Sequence, residues 1–198
     1  MKTISIAREV GAINLPSMIG EHSLIPFDLA TLEGLPKEYI DIASKMIASI
    51  KNKVGTAFFT IHGAILKAGQ THRRPGKHTD GSYDKAVFDW GGGGWKVNQD
   101  GPDISSDDHA RLYTSGKGGI ILASNHTACI GYLGEYEDNI GKGGNCEHIK
   151  LSESFKLKPN TIYYGNNHFI HESIPMDQDV HRVLARITLP ATHEFEMN

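Results

Sequence analysis

HESIPMDQDVHRVLARITLP, residues 171–190, is the stretch whose reading decides the fold. From Arg182 to Leu189 the side chains alternate. Arg182, Leu184, Arg186 and Thr188 fall on one face of a strand, and Val183, Ala185, Ile187 and Leu189 fall on the other. The second face is wholly apolar and demands burial beneath another layer. If the first face is also turned inward, its two arginines are buried cations, which are costly unless an anion pairs with them. The stretch therefore predicts an anion held inside a β-structure.

Outward from this strand, the second half of the chain reads as more short strands: 120–124, 129–136, 148–155 and 161–164. Glycine-rich and Lys-Pro-Asn turns separate them. This spacing predicts a mainly β protein, a jelly roll or cupin-like sandwich, with a helix packed outside. The helix is expected at 36–53, where Pro36 suits a first turn and Ile40, Ala43, Met46, Ile47 and Ile50 recur at helical spacing. Thr56–Lys67 predicts two short strands broken at Gly63, and residues 1–35 read as turn-rich, with a short strand near the start.

The segment 84–118 contains WGGGGW and many aspartates but few apolar residues, and predicts a glycine-rich lid loop. Its four glycines lack the flanking strand, helix and Lys-Ser/Thr of a phosphate-binding loop. The whole chain, 1–198, is expected to form one domain.

Composition narrows the function. Of the 198 residues 39% are hydrophobic, enough for a sizeable core, and the net charge of −3 gives no general pull toward nucleic acid or an anionic membrane. No apolar run is long enough to span a bilayer, so no membrane partner and a cytoplasmic location are expected. Cys129 and Cys146 are too few for a disulfide framework. His72, Arg73, Arg74 and Lys77 form the one basic cluster, read as a solvated loop.

Eleven histidines direct attention to metal. In an extended segment His78 and Asp80 project from the same face, as two ligands of one ion would. About one His-x-Asp/Glu is expected by chance at this composition, so the pair needs a third ligand to mean anything. A 2-His-1-carboxylate set with open positions is the signature of non-haem Fe(II) oxygenases. His168, His171 and His181 are available, and His171 is preferred because the arginine strand follows it.

RPGKHTDG at 74–81, a histidine 93 positions beyond His78, and arginines 11 and 15 further on together resemble the Fe(II)/2-oxoglutarate-dependent dioxygenases. The spacing of Arg182 and Arg186 is similar to that of the taurine-dioxygenase branch in particular. The resemblance covers roughly 72–83 and 160–190. It implies a double-stranded β-helix with His78, Asp80 and His171 on Fe(II). It further implies Arg182 at the distal carboxylate of 2-oxoglutarate and Arg186 near its C1 end. A hydroxyl or amide completes such a pocket, with Asn125 and Tyr132 as the candidates.

The implied activity consumes 2-oxoglutarate and O2, releases succinate and CO2, and hydroxylates an unactivated C–H. The substrate would be a small molecule, a nucleobase or a protein side chain. Two other readings stand beside this one. A cupin-type metalloenzyme would use no keto acid, but its His-x-His pattern is absent. A metal-free jelly-roll binding or structural module, of viral or surface-lattice type, would need no ligands.

Overall fold

The alternation from Arg182 to Leu189 is realised as the last of ten strands among the described residues and one of the two central strands of its sheet. In chain order the elements are β1 (Thr3–Ser5), β2 (Ala7–Ala12), β3 (Glu21–Asp28), α1 (Lys37–Met46), β4 (Thr56–Leu66) and β5 (Gly119–Ser124). They continue with β6 (Cys129–Tyr136), β7 (Glu153–Lys156), β8 (Thr161–Asn166), β9 (Ile170–Ser173) and β10 (Val180–Leu189). The computed structural model describes residues 2–17, 20–80, 117–137, 140, 144–190 and 192–196. The lid reading over 84–118 lies outside the described residues except at Lys117 and Gly118.

Two antiparallel sheets result. The larger runs β2-β8-β5-β10-β4-β3, and in the smaller β6 is flanked by β7, β1 and β9. The protein is mainly β, as its strand pattern predicts, and the sheets do not close on one another.

The predicted apolar face of β10 is buried. Val183, Ala185, Ile187 and Leu189 pack with Ile121, Ala123, Phe59 and Ile61 of neighbouring strands, beneath Tyr39, Ile42, Ala43 and Met46 of α1. Each such large side chain contributes roughly 1.5–3 kcal/mol through burial, so this layer is the main source of stability. The opposite face of the large sheet packs on the small one: Ile120, Leu122, Tyr163 and Leu184 meet Cys129, Leu157 and Phe169. The order is helix, six-stranded sheet, small sheet.

Several local expectations need correction. The helix stops at Met46 rather than 53, because the backbone N–H groups of Ala48 and Ile50 bond to Lys45 and Ile47 in tight turns. Its buried stripe starts at Tyr39, leaving Ile40 39% exposed. Thr56–Leu66 is one strand, since Gly63 pairs in register with Val183 and the ladder carries it through. The turn-rich start holds three strands, two of them irregular, with register shifts between Glu9 and Gly11 in β2 and between His22 and Ile25 in β3, where a period-two pattern is interrupted. Strand β9 falls in a stretch where no strand is expected, and β7 begins five residues later than expected.

Candidate metal centre

Strand β9 carries His171, and a neighbouring segment lies against its free edge. His78 and His171 exchange both backbone hydrogen bonds, N–H to O in each direction at 2.9 Å. Directly opposed residues of an antiparallel pair point to the same face, so the two imidazoles stand side by side with ring centroids 4.7 Å apart. Asp80, two residues beyond His78, falls on that same face. The three side chains bring one ligand atom each within 4.8 Å of one another, and they form the one such group among the described residues.

Both imidazoles are oriented from behind. Nδ1 of His78 donates to the carbonyl of Gly76 at 2.7 Å, and Nδ1 of His171 to that of Phe169 at 3.2 Å. With Nδ1 protonated in each ring, both Nε2 atoms turn lone pairs toward Asp80, at 3.9 Å from His78 and 3.5 Å from His171. Fixing the far nitrogen on a carbonyl is how proteins orient metal-binding histidines. The ring of Phe169 stacks on His171 at 5.3 Å and closes the site from the core side.

The electrostatics favour ligand forms. Burial, with the neighbouring His171, pushes His78 down to about 4, so it is neutral at physiological pH. Burial alone would raise the Asp80 carboxyl, but Arg186, His171 and His78 outweigh it and hold Asp80 well below the usual carboxylate range. Arg186 Nη1 donates to Asp80 Oδ2 at 3.0 Å.

Arg182 lies on the same face of β10 as Arg186 and is fully buried, at 0% exposure. Its Nε donates to Ser124 Oγ at 3.1 Å and its Nη2 to Cys129 Sγ at 3.5 Å. Nη1 has no hydrogen-bond partner among the described residues. Among the described residues no carboxylate answers this cation in its hydrogen bonds, and an anion delivered to Nη1 would satisfy both the charge and the donor.

The remaining candidates fall elsewhere. Asn125 accepts at its amide oxygen from the N–H of Val183 and donates its NH2 to the carbonyl of His181, so it ties the end of β5 to β10 rather than reaching inward. Tyr132 pairs with Ile170 while Gly131 pairs with His171, so alternation turns Tyr132 to the outer face of the small sheet. There its hydroxyl donates to Glu172, and Lys77 sits 4.8 Å over its ring. His168 is buried, and burial pushes it down to about 4, but it does not join the three-residue group. His181 lies on the opposite parity of β10 from the arginines.

Sequence reading passed over Ser124, Cys129 and a chain from Glu21 through His62 to His72. Ser124 stands across from Leu184 in the ladder and so shares the arginine face, one residue from the expected Asn125. His62 Nε2 lies 3.0 Å from Glu21 Oε2, and its Nδ1 meets Nε2 of His72. The pairing of Glu21 with His62 across β3 and β4 could not be seen without knowing that these strands are neighbours.

No family model matches the chain, and no curated protein and no solved structure matches it either. Among the described residues no helix is long and apolar enough to cross a membrane.

Proposed function

We propose that this chain is an Fe(II)- and 2-oxoglutarate-dependent oxygenase of jelly-roll type, hydroxylating an unactivated C–H of its substrate. One juxtaposition carries the reading: a His78-Asp80-His171 group with both Nε2 atoms turned toward Asp80, facing a strand whose fully buried Arg182 has an Nη1 unpartnered among the described residues. Two imidazoles and one carboxylate on one face suit Fe(II) and leave positions open for other ligands. When bound, iron would supply the redox chemistry by which O2 and 2-oxoglutarate become succinate, CO2 and a hydroxyl group on the substrate.

The chain's own residues do the rest. Gly76 and Phe169 carbonyls keep the two histidines in the ligating tautomer. Arg186 holds one oxygen of Asp80 and leaves Oδ1 toward His78. Arg182 would take the distal carboxylate, since a guanidinium fork matches a carboxylate in paired hydrogen bonds. Leu184, Leu122 and Phe169 exclude water around that pairing and strengthen it.

One observation favours the rival, a metal-free jelly-roll binding or structural module. The Arg186–Asp80 ion pair satisfies the carboxylate without any metal. Anaerobic addition of Fe(II) and 2-oxoglutarate separates the two readings. The oxygenase reading expects a visible metal-to-ligand charge-transfer band that His78→Ala abolishes, and Arg182→Ala should weaken 2-oxoglutarate while Fe(II) stays bound. No band from the unaltered protein, or one that survives His78→Ala, would sink it.

A further inference from the structure

Arg182 touches one group that oxidation can turn into an anion, the thiol of Cys129. Its hydrogen-bond partners are Ser124 Oγ and Cys129 Sγ, and Nη1, beside the sulfur-bonded Nη2, is free among the described residues. Cys129 is a free thiol at 7% exposure, seated among Leu122, Phe169 and Leu184. The other cysteine is a built-in contrast. Cys146 is fully buried, donates to the carbonyl of Gly144 at 3.2 Å, and sits with Ile149 and Ile170 in a separate cluster.

We propose that Cys129 is a peroxide-modification site whose oxidised form occupies Arg182 in place of a carboxylate. The inference rests on the reading that Arg182 holds a carboxylate ligand. Hydrogen peroxide is smaller than any keto acid, so a path that admits the ligand to Arg182 admits the oxidant to the sulfur beside it. In the first step an S–O bond forms as the O–O bond breaks. The thiol becomes a sulfenic acid, its sulfur oxidised by two electrons, and the peroxide, taking the thiol proton, leaves as water.

A second peroxide adds another oxygen in the same way and gives the sulfinic acid, which loses its proton at neutral pH. A sulfinate presents two oxygens much as a carboxylate does. Here it would be covalently held within reach of Nη2 and the unsatisfied Nη1. The buried cation would then have an internal counter-ion, and an incoming carboxylate would meet no free guanidinium.

The test starts with metal-free protein in chelator, so that iron-driven oxidation is absent. It is treated with hydrogen peroxide and followed by peptide mass spectrometry. Cys129 should gain two oxygen atoms ahead of Cys146, and 2-oxoglutarate added beforehand should slow this. After peroxide removal and loading with Mn(II), calorimetry should show 2-oxoglutarate binding about a hundredfold weaker than to untreated protein. Cys129→Ser should keep its own starting affinity through the same treatment. Cys129→Asp, which places a carboxylate there without oxidation, should bind as weakly as the oxidised protein; if it does not fold, the oxidised unaltered chain carries the measurement. Equal oxidation of both cysteines, or unchanged affinity once Cys129 is a sulfinate, overturns the inference alone. Failure of untreated Mn(II)-loaded protein to bind 2-oxoglutarate overturns the carboxylate reading beneath it as well.

Discussion

Arg182 is buried more completely than most of the apolar residues around it, yet among the described residues its hydrogen-bond partners are one hydroxyl and one thiol. A cation in that position works against stability unless a ligand is present. Replacing it with an apolar residue of similar length removes the desolvation cost. Arg182→Met is therefore expected to leave the metal-free protein as stable or stabilise it by about 1–4 kcal/mol, while 2-oxoglutarate binding is lost. Urea denaturation beside a calorimetric titration checks both halves. A destabilised variant would mean that Arg182 is held by its fixed neighbours and not reserved for an anion. His171 differs in kind, because each of its ring nitrogens already has a defined direction, Nδ1 to Phe169 and Nε2 to Asp80. Which arginine, histidine or hydroxyl faces the centre was legible at this scale only where strand parity decides it. Parity placed Arg182 and Arg186 together, but a one-residue choice selected Asn125 where Ser124 faces inward.

Strand β6 holds the small sheet together, pairing with β7 on one edge and with β9 on the other. At Gly131, opposite His171, the rings of Phe155 and Phe169 come so near that an added Cβ would lie 2.7 Å from each. Phe169 is pressed equally against Gly165 of β8, where a Cβ would meet it at 2.8 Å. Two glycines thus let one ring lock β9 against the large sheet and stack on His171. Gly131→Ala must displace that ring, so it should cost about 1–3 kcal/mol and also weaken Mn(II) binding. Denaturation and metal titration of the variant test this. Loss of stability with metal affinity unchanged would separate Phe169 from the positioning of His171. None of this could be read from sequence, because a glycine in a strand signals close approach without naming the neighbour. The same distance between local pattern and partner explains the helix. Apolar spacing predicts α1, but turns at its end shorten it, and the sheet beneath selects Tyr39 rather than Ile40 for its buried stripe.

Across the whole molecule, several histidines are buried in a way that disfavours their protonated forms. Burial, with Arg182 next in effect, pushes His72 down to about 3, and burial holds both His78 and His168 down near 4, against an ordinary value of 6.5. Between about pH 4 and 6.5 the unfolded chain therefore binds protons that the folded one refuses. Stability should be complete above about 6.5 and fall as the pH drops toward 4, by on the order of 3 kcal/mol for His168 alone. Denaturant midpoints of metal-free protein across that range, compared with His168→Gln, measure it. A flat profile, or an unchanged slope in the variant, would mean these rings stay solvated.

The sequence by itself determined the class of fold and the chemistry of the candidate residues. Period-two alternation in 182–189 dictates a strand with one apolar face, and the types and order of His78, Asp80, His171, Arg182 and Arg186 limit what they can bind. Tertiary structure alone decided which of them meet. A strand's pattern fixes which face a side chain occupies but not which strand lies beside or across from it. Only the pairing of His78 with His171, and the packing of the small sheet on the arginine face of β10, brings residues so distant in the chain within reach of one ion.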